Sequence, residues 1–309
     1  MNQQTLKNYA NLLVRTGGNV QKGQPVVITS DIEAAHFARL VQDTAYDAGA
    51  SEVTILWGDE ASTRTKYLRA ADETFDDYPD WIVERYKYWD NKGVVYLHIT
   101  SGNPDLLNGV DPERIKRFGK VAREKMREHS ALTMSHKIRW SACAIPSPAW
   151  AEKVFPNISE DEAMEELWEL IIKAARADGD DPIADWRKHR KSFVNNVNYL
   201  NEQQFTALRL TTGLGTNITI GLNENHVWKG GGSICANEGL PFFPNIPTEE
   251  IFTAPNRNIA DGRVVASIPL SYQGNLIEGI DLTFKGGVVT EYKASKNQES
   301  LTNILEMDE

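Results

Sequence analysis

The chain has 309 residues, 41% of them apolar and 25% charged, the balance of a soluble globular protein of about two domains. Its formal net charge of -10 repels nucleic acid and anionic membranes alike, so neither is expected as a partner. No apolar run of about 18 residues marks a membrane span. Met1 to Leu13 lack the basic and apolar regions of a signal peptide, and Cys143 and Cys235 form no CxxC, so a cytoplasmic location with two small buried thiols is expected.

In chain order, Gln24 to Thr29 reads as a strand. Asp31 is placed to cap a helix carrying Ile32, Ala35, Phe37, Leu40, Val41 and Ala45 and stopped by Gly49. Glu52 to Trp57 and Gly93 to Ile99 are further strands. Asp111-Pro112-Glu113 supplies a cap, a proline at the first helical position and an early acid, opening a helix towards His129. Strands are expected at Ala131 to Ser135 and Trp140 to Ile145. Ser159-Glu160-Asp161-Glu162 is a capping box before a helix through Ala177, and another helix runs from Pro182 to about Asn198. Short apolar strands alternating with helices predict an α/β domain with a mainly parallel sheet over residues 1–190.

Beyond that point the period switches to two. Phe205 to Thr211, Asn217 to Leu222, Arg263 to Ile268, Leu276 to Phe284 and Val288 to Tyr292 alternate, with turns expected at Asp261-Gly262, Gly274-Asn275 and Gly286-Gly287. Residues 191–309 are therefore expected to form a β-rich (α+β) domain, with a helix beginning at Asn297 and ending in Glu306-Met307-Asp308-Glu309.

Most chemical motifs fail on context. Gly213-Leu214-Gly215 is followed by a strand where a dinucleotide loop needs a helix N-terminus, so it reads as a hairpin turn. Lys229 to Ser233 lacks phosphate-loop spacing, and neither HExxH nor GxSxG occurs. His98 reads as a hydrogen-bonded core histidine and His226 as structural. The loop Trp57-Gly58-Asp59-Glu60 follows a strand, where α/β sheets gather ligands, and equally reads as a polar entry to the next helix.

The informative segment is Gly239 to Pro255. Its prolines exclude a helix or a central strand and present Glu249 and Glu250 side by side before Ile251-Phe252. In extended backbone the two carboxylates point to opposite faces, so one is expected at solvent and the other buried against a cation or donor. A proline-rich surface loop with two solvated acids is the competing reading.

Several segments together resemble the thermophilic-type metalloaminopeptidases, the M29 peptidase family. They are Gly215-Thr216-Asn217-Ile218-Thr219-Ile220-Gly221-Leu222, His226-Val227-Trp228-Lys229-Gly230-Gly231 and Pro247-Thr248-Glu249-Glu250-Ile251-Phe252-Thr253-Ala254-Pro255. Ile28 to Ala34, Val53 to Asp59 and Asp261 to Pro269 also match, so the resemblance covers essentially the whole chain. It implies a cytoplasmic, homodimeric exopeptidase that removes N-terminal residues from peptide substrates through water activated by two divalent metal ions, zinc or cobalt. An N-terminal α/β domain and a C-terminal catalytic domain come with it. The resemblance places a metal-ligating glutamate at Glu250, with Glu249 as the alternative. Family members carry later segments that supply a second glutamate, two histidines, an aspartate and a tyrosine. None of these can be placed here, which implies an incomplete catalytic domain, catalytic residues beyond Glu309, at most partial metal binding and no peptidase activity. The competing expectation is a non-catalytic peptide- or small-molecule-binding α/β protein. A nucleotide-dependent oxidoreductase is disfavoured by the missing glycine fingerprint.

Overall fold

Short runs rich in Val and Ile, each too brief for a helix, become the strands of a parallel sheet. In the computed structural model, which describes residues 1–272 and 275–306, α1 (Gln3–Asn11) runs into a π-helix at Leu12–Gly17 and then β1 (Pro25–Asp31). α2 (Ala35–Asp47), β2 (Glu52–Gly58), α3 (Glu60–Arg69), α4 (Asp80–Asp90) and β3 (Val95–Thr100) follow. Next come α5 (Pro112–Lys125), α6 (Arg127–Met134), β4 (Trp140–Ala144), α7 (Pro148–Val154), α8 (Glu160–Ala174) and α9 (Pro182–Gln203).

β1 pairs in parallel with β2 on one side and β3 on the other, and β3 with β4. Alternate residues of β1 serve opposite faces. Val26 and Ile28 join Leu13, Phe37, Val41 and Leu167 in the larger core, while Val27 packs with Trp89, Tyr96 and Ile138 on the other side. Each such side chain contributes about 1.5–3 kcal/mol on burial, which makes a sheet covered on both faces the strongest part of the molecule.

Three expectations change here. Ala131 to Ser135 is not a strand. Ala131 to Met134 complete α6, since Ala, Leu and Met favour helix, and the turn closes at His136 with φ of 55°. Asp31 ends β1 and makes no capping bond, because a 3-10 turn at Ile32–Ala34 precedes α2. The helix towards His129 is two helices, α5 and α6, which share Met126 as their junction. The caps at Asp111 and Ser159 are present as expected, the latter as a full capping box.

The later elements are mostly strands: β5 (Ala207–Thr211), β6 (Asn217–Leu222), β7 (Lys229–Gly230), β8 (Ser233–Ile234), β9 (Pro241–Phe242), β10 (Asn245–Ile246) and β11 (Ile251–Phe252). β12 (Pro255–Val265), β13 (Leu270–Tyr272), β14 (Asn275–Ile277), β15 (Asp281–Lys285), β16 (Val288–Lys293) and α10 (Gln298–Leu305) complete them. β16-β15-β12-β6-β5 form an antiparallel sheet. Asp261-Gly262, expected as a turn, lies inside β12. There Gly262 has φ of 131°, and a Cβ would sit 2.2 Å from the Asn217 carbonyl oxygen, so only glycine fits. The alternating stretch Leu276 to Phe284 is broken into β14 and β15, which belong to different sheets. Gly286-Gly287 makes its turn; Gly274 of the expected Gly274-Asn275 turn, and Met307 to Glu309, lie outside the described residues.

The chain divides into two compact units, Met1–Ser192 with Gly231–Glu249, and Phe193–Gly230 with Glu250–Glu309. Thus a stretch that the sequence assigns to the second half belongs to the first unit, where β10 adds a fifth parallel strand beside β4. The sheet order is β10-β4-β3-β1-β2, with the switch in direction at β1. Buried Arg139 anchors this returning segment. Its guanidinium pairs with Glu238 at 2.6 Å and donates to the carbonyl oxygens of Gly18, at 2.8 Å, and Asn19, and to Gln24. Burial alone would raise the Glu238 pKa, but the Arg139 hydrogen bond and charge hold it below the usual value.

In the second unit a small core of Ile277, Ile280 and Leu301 is supplemented by an ionic lock. Arg263 grips both oxygens of Asp281 at 2.8 and 2.6 Å, and Lys293 approaches at 3.2 Å, so β12, β15 and β16 share one carboxylate. Among the described residues no helix is long and apolar enough to cross a membrane.

Candidate functional site

Proline limits the Gly239 to Pro255 segment to two-residue strands, and each finds a different partner. β9 pairs antiparallel with β8, β10 lies parallel to β4 with Asn245 opposite Ala142, and β11 pairs antiparallel with β7. Phe243 and Ile246 are buried in the larger core of the first unit, which fixes the backbone leading to Thr248. The Ile246-Pro247 bond is cis.

Glu249 belongs to the first unit and is held by two residues that the sequence does not single out. α8 ends in a Schellman turn: Ala177 N donates to Ile172 O and Arg176 N to Lys173 O. Arg176 occupies the left-handed position, at φ of 52°, where glycine is usual. From there its guanidinium pairs with the Glu249 carboxylate. His189 of α9 donates from Nε2 to the Thr248 carbonyl oxygen at 3.0 Å, and the same nitrogen lies 3.5 Å from Glu249. The ring is set edge-on to Trp186, whose own Nε1 donates to Ala175 O. Neither Arg176 nor His189 stands at a spacing that would link it to Glu249, because both contacts are tertiary.

Glu250 begins the return to the second unit. The expectation that one glutamate is buried does not hold, since both are exposed. Prolines on either side keep the turn at the surface, so the two acids differ in partners and not in burial. Glu249 is taken by Arg176, while no hydrogen bond or ion pair engages the Glu250 carboxylate among the described residues. Nor do three or more His, Cys, Asp or Glu side chains converge anywhere among those residues in a way that could hold a metal ion. The donors around this turn therefore do not fit a two-metal centre: one carboxylate is neutralised by arginine and the other stands alone.

The histidines and cysteines weighed from the sequence have structural surroundings. His98 shares a 2.7 Å hydrogen bond with Thr29, and burial lowers its pKa to about 4, so it is a neutral core histidine. His226 is buried and donates from Nδ1 to Asn223 O at 2.9 Å. Cys143 and Cys235 are free and buried, and burial pushes the Cys143 thiol up to about 12.

The loop after β2 gathers carboxylates at the C-terminal edge of the parallel sheet. Asp59 caps α3 through Ser62 N at 3.1 Å, and Glu60 accepts from Asn103 N at 2.9 Å. Burial, then the charges of Glu33 and Asp59, raise the pKa of Asp31. Burial raises Glu60 as well, against its bond from Asn103. The sequence placed a polar loop here and missed Asp31 as its neighbour.

Set beside known proteins, residues 2–309 match the family model described as thermophilic metalloprotease (M29). The chain is 40% identical over 306 residues to "Aminopeptidase AmpS" of Bacillus subtilis and 39% identical over 307 residues to "Aminopeptidase 2" of Geobacillus stearothermophilus. Each match takes in 99% of this chain and 74% of the relative. Among solved structures, "Wild-type AmpT from Thermus thermophilus" superposes with a TM-score of 0.93 at 36% identity, covering 99% of this chain and 75% of that one.

Proposed function

The chain belongs to the M29 family of thermophilic metalloproteases, and from that premise we propose that it acts as an aminopeptidase, releasing N-terminal residues from peptides with the help of divalent metal ions. The observation that carries this reading is the identity of about 40% to named aminopeptidases along virtually the whole of these residues. No comparable observation favours the non-catalytic binding protein. We assign Glu250 as one carboxylate ligand, because both its oxygens are free while Oε1 of Glu249 is paired with Arg176. When bound, divalent ions in such a hydrolase polarise the scissile carbonyl and lower the pKa of water. The residues around this segment have a positioning part. Arg176 neutralises Glu249, His189 holds the Thr248 carbonyl, and together they fix the turn from which Glu250 projects.

One free carboxylate does not hold two ions, so we expect the chain to bind cobalt or zinc weakly and to turn over slowly. The test assays it on an amino-acid p-nitroanilide, with and without added metal. Slow metal-dependent release, abolished by Glu250→Gln and kept in Glu249→Gln, supports the reading. No metal-dependent release would sink it, and robust turnover would overturn the account of the donor set. A homodimer in the cytoplasm belongs to the same proposal; light scattering that gives a monomer mass would remove the dimer.

A further inference from the structure

Within the first unit, three segments distant in sequence enclose a hollow of about 270 Å³, slightly below the usual 300–1,000 Å³ of ligand pockets. One wall is a face of α9, where Ile183, Trp186, Arg187 and Arg190 recur at the i, i+3, i+4, i+7 spacing. The opposite wall is the π-helix Leu12–Gly17, which contributes Arg15 and Thr16. Short π-helices recur at functional sites because they trade regular hydrogen bonding for side-chain placement. The floor is apolar: Trp186 and Phe243 are buried and meet edge to face at 4.9 Å.

The charge of this hollow runs against the rest of the molecule. In a chain of net charge -10, three arginines line it and no carboxylate does. Arg15 donates only to neutral oxygens, those of Asn11 and the Asp47 backbone. The side chains of Arg187 and Arg190 take part in no hydrogen bond or ion pair among the described residues. Three arginines lining one hollow with no carboxylate among the lining residues make it attractive to an anion. Guanidinium forks match the two oxygens of a carboxylate or the oxygens of a phosphate.

We propose that this hollow binds a small ligand that carries a terminal oxyanion on an apolar body, with the anion on Arg15, Arg187 and Arg190 and the body against Ile183 and Pro241, which lie over the buried Trp186 and Phe243. The peptide carboxyl terminus and the phosphate ester are the two sources of that chemistry. The inference rests on the first unit alone and does not use the peptidase reading.

Titration calorimetry of the 309-residue chain tests it with three probes: N-acetyl-Leu-Leu as the free acid, the same peptide as its amide, and phenyl phosphate. The variants are Arg187→Gln combined with Arg190→Gln, and Lys188→Gln, which removes an exposed charge from the same helix outside the hollow. The expected result is that one or both anions bind about tenfold or more tightly than the amide, and that the double variant loses this preference while Lys188→Gln keeps it. Binding of the free acid identifies the carboxylate source, and binding of phenyl phosphate alone identifies the phosphate source. Equal affinity for acid, phosphate and amide, or an equal loss in Lys188→Gln, overturns the proposal. If the double variant does not fold, the single exposed change Arg187→Gln carries the same comparison.

Discussion

In the first unit β1 and β3 are covered on both faces, whereas in the second β5 and β12 show most of their residues to water. The first sheet is a layer inside a core; the second is a ladder of hydrogen bonds with a small cluster and a shared carboxylate to reinforce it. The contrast shows that one chain can draw stability from buried area in one region and from backbone pairing and charge in another. Damage of the same chemical kind should therefore have unequal results in the two units.

The largest effect is expected from Arg139→Met, which leaves Glu238 and two backbone carbonyls without their donor. Each backbone carbonyl left without its donor costs about 1–3 kcal/mol, and loss of the pair with the part-exposed Glu238 adds to this, read as a lower denaturant midpoint with faster amide exchange across Gly231 to Glu249. Next comes a matched pair of truncations. Leu97→Ala in the double-sided core should cost about 3–5 kcal/mol, and Leu301→Ala in the small cluster about 2 kcal/mol. Equal losses would break the comparison between the units.

Acid should then act on the second unit first. Arg263, and after it Lys293, hold the Asp281 pKa down to about 2 against the burial that would raise it. A depressed carboxylate contributes stability that is complete above its unfolded pKa of about 3.9 and is lost as pH falls towards 2. Amide exchange in β12 and β15 should accelerate over that window, and Asp281→Asn should remove the dependence. The smallest effect has the opposite sign. Asp31 has a raised pKa, so its charge weakens the fold at pH 7 and ceases to do so as pH falls below its unfolded value. Asp31→Asn should add a few tenths of a kcal/mol at pH 7, since water screens this half-exposed group, and nothing near pH 3. A destabilised Asp31→Asn protein would contradict this account.

Much of the first sheet was legible because β1, β2, β3 and β4 are local apolar runs, and the caps at Asp111 and Ser159 act within one helical turn. What was not legible is tertiary. β10 is two residues long and proline-flanked, and only its partner β4 makes it a strand. Ala131 to Ser135 reads as a strand in isolation, yet its Ala, Leu and Met continue a helix already begun. The site shows the same boundary. The glutamate pair was visible as a motif, but that Glu249 has a partner and Glu250 has none is decided by tertiary contacts. The Arg176 and His189 contacts come from the end of α8 and from within α9, more than fifty residues away, and no periodicity reports them.

The pairing of Asn245 with Ala142 has a consequence for the order of events at the ribosome. The parallel sheet is closed by a strand made about a hundred residues after the one it joins. When β4 leaves the exit tunnel, its outer edge and the pocket for Phe243 and Ile246 have no occupant, while α9, β5 and β6 have yet to emerge. Pairings that span so much sequence form late and leave open edges meanwhile. The nascent first unit thus keeps an open sheet edge until Ile246 has emerged, and a pause in translation before that point would lengthen the exposure.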